Sequence, residues 1–357
     1  MVSEHRATSK VNRQRLCSCS QATAAAMLNA AKRPVILAGG GVRGQETHLT
    51  ALAQRLNAPV IQTTNARGMM HGHPLCIPAS PSLLPVRALI AASDQILAIG
   101  TEIGQTDYDM YADDAVPSLA AMIRIDIDAD QLARHPAALT LHGDAGATMA
   151  ALLPHLTQKP AHSTQAAHNT RTAARAALAD LSATMPAQLE MVEAIRSALP
   201  QALIVGDSTQ PVYAGNLYYD HDRAGGWFNA ATGFGALGFG PGAAIGAALA
   251  APESQVVCLI GDGGLQFSPG ELRTALDENL PITFLVWNNA AFREIADAMR
   301  GANTEIIGCH PSPLRMNHFA AACDLPFVSI PQDPQELHRA LSTPSTGPRM
   351  IEVRVTL

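Results

Sequence analysis

The chain has 357 residues, 15% of them charged and 47% hydrophobic, and a formal net charge of -6. That length allows two domains with separate cores, while the negative balance argues against nucleic acid or an anionic membrane surface as a partner. No apolar run reaches membrane-span length, the start has no signal-peptide core, and six cysteines make no disulfide framework, so a cytoplasmic α/β enzyme is expected.

Residues 1–20 are polar, basic and without period, and read as a disordered tail. Cys17 and Cys19 form a CxC with no second cysteine or histidine pair near in sequence, and Glu4 has no motif around it. An alanine-rich helix follows over 21–31. Pro34-Val35-Ile36-Leu37-Ala38 reads as a strand, Gly39-Gly40-Gly41 as a loop and 49–56 as an amphipathic helix. Val60-Ile61, Gln95-Ile96-Leu97-Ala98-Ile99 and Ala121-Met122-Ile123-Arg124-Ile125 add three strands, giving a Rossmann-like domain over 21–156. The run Gly39-Gly40-Gly41-Val42-Arg43-Gly44 matches GxGxxG. A dinucleotide site also needs an acid at the end of the second strand, and Gln62-Thr63-Thr64-Asn65 offers none, so a plain glycine-rich turn is preferred over NAD. Asp126, Asp128 and Asp130 lack the glycine and final glutamate of a calcium loop; Gln131 and Ala137 stand there instead. A strand end followed by a capped helix is the better reading. Residues 157–185 read as a connection with some helix, and a second domain occupies 186–357. The expected fold is α/β, with two Rossmann-like parallel-sheet domains.

The second domain carries the chemistry. Leu203-Ile204-Val205-Gly206-Asp207-Ser208-Thr209-Gln210 is a strand running into a polar loop, and a glycine-rich stretch over 231–246 leads into a long helix. Val256-Val257-Cys258-Leu259-Ile260 is a strand that stops at Gly261-Asp262-Gly263-Gly264. Ser268, Pro269 and Glu271 suit the N-cap, first turn and capping box of a helix. Pro281-Ile282-Thr283-Phe284-Leu285-Val286-Trp287 is the next strand, ending at Asn288-Asn289. A strand–helix–strand unit of this length forces a parallel crossover. Asp262 and Asn289 then share the carboxyl edge, where α/β sheets bind ligands. One carboxylate, one amide and exposed carbonyls make an oxygen-only set suited to Mg²⁺ shared with a diphosphate. The glycines let backbone N–H groups approach such a group closely. The plainer alternative is a tight turn with an aspartate cap and an asparagine-rich turn beyond the next strand.

The spacing from Gly261-Asp262-Gly263 to Asn288-Asn289 resembles the signature of thiamine-diphosphate (ThDP) enzymes. By that resemblance Asp262 and Asn289 ligate Mg²⁺ through side chains and Ala291 through its carbonyl. The family usually has glycine at the Ala291 position and often serine at Gly264. Gly261, Gly263 and Gly264 would flank the diphosphate, with further contacts from Ser208, Thr209 and Gln210. The resemblance places Leu237 beneath the bent cofactor and gives the Gly235 carbonyl a hydrogen bond from its amino group. Arg33 to Gly41 and Ile125-Asp126-Ile127-Asp128 resemble the middle domain of the acetolactate-synthase branch. Gly100 to Asp109 lacks the arginine that helps such synthases hold FAD, which argues against FAD, and Gln210-Pro211 replaces their Gln-His pair. Thr106-Asp107-Tyr108-Asp109 and Asp207 to Pro211 look closer to 2-oxo acid decarboxylases of the 5-guanidino-2-oxopentanoate type.

The resemblance implies a ThDP- and Mg²⁺-dependent decarboxylase or carboligase acting on a 2-oxo acid, with acetolactate synthase as the alternative. Family members carry a pyrimidine-binding domain ahead of the middle one, whose glutamate relays a proton to the cofactor. No glutamate before Gly39 matches it, so no catalytic residue is expected in this chain. A separate pyrimidine-domain subunit, a fragment, or a non-catalytic ThDP-binding protein would each account for that. A homo-oligomer is expected.

Overall fold

The computed structural model describes residues 18–107, 118–160 and 163–355. The readings placed on Glu4, Cys17, Tyr108 and Asp109 lie outside the described residues. A helix spans Ser18–Ala30, starting three residues before the expected position. The strands are β1 (Pro34–Ala38), β2 (Val60–Gln62), β3 (Cys76–Ile77), β4 (Gln95–Ile99), β5 (Ile123–Asp126) and β6 (Leu139–His142) in the first half. The second half holds β7 (Leu203–Gly206), β8 (Trp227–Asn229), β9 (Val256–Gly261), β10 (Ile282–Asn288), β11 (Phe327–Pro331) and β12 (Arg349–Arg354). They form two six-stranded sheets in the orders β3-β2-β1-β4-β5-β6 and β11-β12-β10-β9-β7-β8. Every pairing within them is parallel.

Both sheets are covered on two faces, which is why β1, β4, β9 and β10 read as unbroken apolar runs. Each is buried along its length apart from the last residue of β9 and of β10. The segment between the sheets is packed rather than slack: helices Ser163–Ala176 and Leu178–Leu181 bury Ala167, Ala174 and Leu178. These join a core that runs from Leu37 and Ile61 of the first sheet to Ile204, Leu259 and Leu285 of the second.

Backbone and one cation bind the halves together. Ala79 and Tyr218 form an antiparallel bridge, and Ser80 N–H donates to the Leu217 carbonyl at 2.7 Å. Arg67, wholly buried, donates to the carbonyls of Gln62 (3.0 Å) and Pro78 (2.5 Å) in the first half. It also donates to Asn216 (2.7 Å) and Tyr219 (3.1 Å) in the second. Burial pulls its pKa down to about 10, with Asp107 the largest opposing influence, so it remains a cation at neutral pH.

In the first sheet the chain reverses direction between β1 and β4, the place where such sheets take ligands. The Gly39–Gly41 turn there is explained by close approach: a Cβ on Gly39 would lie 2.3 Å from the Gly100 carbonyl oxygen. The adjoining cavity, about 350 Å³, is lined among the described residues by Glu102, Asp107, Asp126 and Asp144 and by no lysine or arginine. That lining offers a diphosphate only neutral N–H and O–H donors, with no cationic side chain among the described residues.

Candidate cofactor site

The corresponding switch in the second sheet falls between β7 and β9, and a cleft of about 160 Å³ opens at their carboxyl ends. The cleft brings together every site residue singled out from the sequence: Ser208, Thr209, Gln210, Gly235, Leu237, Gly261, Asp262, Gly263, Gly264, Asn289 and Ala291. They come from three strand ends and the glycine-rich loop before helix Phe239–Ala250.

β9 passes straight into a helical turn, Asp262–Leu265, whose first residues, Asp262 to Gly264, line the cleft. The expected helix cap beyond it is absent. The next helix is Gly270–Asp277 with no side-chain cap, and the Ser268 hydroxyl donates instead to the Gly238 carbonyl at 2.9 Å. The turn needs its glycines because neighbours already fill the space a side chain would take. A Cβ on Gly263 would meet the Phe292 ring at 2.5 Å, and one on Gly264 would meet an Asp207 oxygen at 2.8 Å. Asp207, buried, accepts from the N–H groups of Ser208 (2.9 Å) and Gly240 (2.8 Å). It thus caps helix Phe239–Ala250, which has no cap of its own.

Asp262 is 6% exposed. Burial raises its pKa, against backbone N–H donation from Asn289 and Gly263. No lysine or arginine forms an ion pair with it among the described residues. A buried carboxylate answered only by N–H groups fits a hard divalent cation. Asn288 and Asn289 each fold back on their own turn. Their Oδ1 atoms accept from the N–H of Ala290 and Ala291, each at 3.1 Å, and Ala290 takes a left-handed φ of 54°. Ala291 has no such φ, so alanine there carries no backbone penalty. The Gly235 carbonyl, expected to face the cofactor's amino group, here accepts from the Ser208 hydroxyl at 2.9 Å.

Gln210 links the Asn289 side of the cleft to its mouth. Its Oε1 accepts from the Trp287 indole (3.2 Å) and the Asn289 amide (3.0 Å), and the same side chain lies beside Glu294 and acts to lower its pKa. Glu294 belongs to a group the sequence did not single out: Tyr213, Trp287 and the run Phe292 to Ile295 also line the cleft. Only one signal pointed to that run, namely that it directly follows the carboxyl end of β10.

The sequence profile for thiamine pyrophosphate enzymes, central domain, matches residues 21–152, and the profile for the C-terminal TPP binding domain matches 205–353. A probable 2-ketoarginine decarboxylase of Pseudomonas aeruginosa is 37% identical over 95% of this chain and 61% of its own length. The acetolactate synthase isozyme 1 large subunit of Escherichia coli is 28% identical over 93% of the chain and 60% of its own length. A sulfoacetaldehyde acetyltransferase of Rhodobacter capsulatus is 31% identical over 74% of the chain and 50% of its own. The chain therefore spans about three fifths, or less, of the curated relatives it matches. Two parallel-sheet halves, each matching its own domain of one family in the order that family uses, place the chain among the thiamine-diphosphate-dependent enzymes of the acetolactate synthase and 2-oxo acid decarboxylase group.

Proposed function

We propose that the cleft holds thiamine diphosphate through Mg²⁺ and serves the decarboxylation of a 2-oxo acid. The supporting observation is a buried Asp262 with no cationic partner among the described residues, beside a glycine turn and Asn289 on the adjacent strand end. In this reading Asp262, Asn289 and the Ala291 carbonyl hold the metal, and the N–H groups of the turn at Gly261 to Gly264 meet the diphosphate. Phe292 closes the floor and Leu237 supports the cofactor from below. When bound, thiamine diphosphate supplies the electron sink that lets CO₂ depart. The identity with the 2-ketoarginine decarboxylase, and the missing arginine over Gly100 to Asp109, favour decarboxylation over an acetolactate-synthase role.

Calorimetry on the chain should show ThDP binding with Mg²⁺ present and none with the metal chelated. Equal binding in both, or none in either, would remove the reading.

The proposal extends to assembly. Phe234 is fully exposed, and Phe239, Phe267 and Leu249 are 40%, 63% and 58% exposed beside the same glycine-rich loop and helix. Large exposed apolar groups on this loop and helix fit an interface, here with a second copy or a pyrimidine-domain subunit. Light scattering on the chain should report a dimer or larger species; a stable monomer at high concentration would count against a homo-oligomer.

A further inference from the structure

Glu294 forms no ion pair among the described residues, although the charge of its neighbour Arg293 acts on it. It lies in the first turn of helix Arg293–Gly301, where the helix dipole favours a negative charge, and its side chain borders the cofactor cleft. The residue is exposed at the cleft mouth, yet the walls around it raise its pKa, chiefly by desolvation. Elsewhere the chain satisfies such a group directly: Glu193 receives a two-pronged contact from Arg175 at 2.6 and 2.7 Å. Glu294 has no ion pair among the described residues. Its neighbour Arg293 also lines the cleft, but the Arg293 guanidinium is drawn along the helix to Asp297 at 3.5 Å. Asp297 is shared with Arg300.

Gln210 fixes what Glu294 can do. Trp287 and Asn289 both donate to the Gln210 oxygen, so that amide cannot turn over without losing two hydrogen bonds. Its NH₂ is held toward Glu294. Gln210 is a neutral neighbour, so the charge of the exposed Glu294 stays available to whatever enters the cleft. Tyr213 and Ile295 flank the same space and give it an apolar wall. An unpaired carboxylate over an apolar wall recognises a ligand with an aliphatic stem ending in a cation.

We infer that Glu294 selects, at this site, a 2-oxo acid whose side chain ends in a guanidinium or ammonium group. The inference rests on the reading of the cleft as a ThDP-dependent 2-oxo acid site. Glu294 acts as a specificity-determining residue, positioned by Gln210, and takes no part in bond breaking.

The test uses the chain loaded with ThDP and Mg²⁺ and measures binding by calorimetry, with 5-guanidino-2-oxopentanoate and uncharged 2-oxohexanoate as probes. Cofactor binding is followed in the same samples. A charge-assisted contact predicts that the wild type prefers the guanidino acid by at least about tenfold. Glu294→Gln should bring that ratio close to one, and Glu294→Asp should keep part of it. A preference unchanged in Glu294→Gln overturns the inference and leaves the cofactor reading intact. So does a wild type that binds the two probes equally, or binds neither. A wild type that binds no ThDP overturns both.

Discussion

Asp262→Ala should lower Mg²⁺-dependent ThDP affinity by at least about 100-fold, more than the 10- to 100-fold typical of losing an outer hydrogen-bond partner of a metal ligand. The reason is electrostatic. Asp262 is the carboxylate of the proposed metal set, and without it a divalent cation and a diphosphate would rest on amide and carbonyl oxygens alone. Asp262→Asn separates binding from folding. Burial holds the folded-state pKa of Asp262 above its ordinary value, so at neutral pH its ionised form counts against the metal-free fold. That penalty fades as pH falls through the raised pKa. The asparagine variant should therefore melt no lower than the wild type without metal, yet lose the rise in melting temperature that Mg²⁺ and ThDP produce. Calorimetry and thermal unfolding of the same preparations check both halves. An unchanged ThDP affinity in Asp262→Ala would sink the metal assignment.

Arg67→Met should destabilise the chain by at least about 3 kcal/mol, because several buried carbonyls lose their donor at a cost of about 1–3 kcal/mol each. No longer burying a cation offsets part of the loss. The acceptors belong to both halves, so denaturant unfolding should also change in kind. The variant is expected to show separate transitions for the two sheets where the wild type shows one, or to unfold at a markedly lower urea midpoint. Arg67→Lys should recover little, since an ammonium cannot reach carbonyls spread around a planar fork. A wild-type unfolding curve for Arg67→Met would mean that water satisfies those carbonyls.

Much of the architecture was legible because buried parallel strands write themselves as apolar runs. β1, β4, β9 and β10 span five to seven residues and stand out against their flanks. β3 has two residues and β8 three, and β6 and β11 bury only Leu141 and Ile330 respectively, so no apolar run stands out in them. β12 follows an irregular, polar stretch that hides it, though four of its six residues are buried. The Ser268 cap failed on a contact 30 residues away, at Gly238. The site follows the same division. Gly261 to Gly264 and Asn288-Asn289 advertise themselves as turn chemistry at strand ends. The roles of Arg67 and Gln210 exist only once distant carbonyls and side chains have come together, and local pattern carries no trace of them.

The contact between Gly263 and Phe292 has an evolutionary side. A ring from the segment after β10 occupies the volume that any side chain on the β9 turn would need. The depth of the cleft is thus written jointly at two positions 29 residues apart. A relative that acquires alanine or serine at the first must trade the ring at the second for something smaller, and the two sites should drift as a pair. The substitution at Gly263 made alone in this chain would clash with the ring, while the double exchange would restore the floor at a new depth.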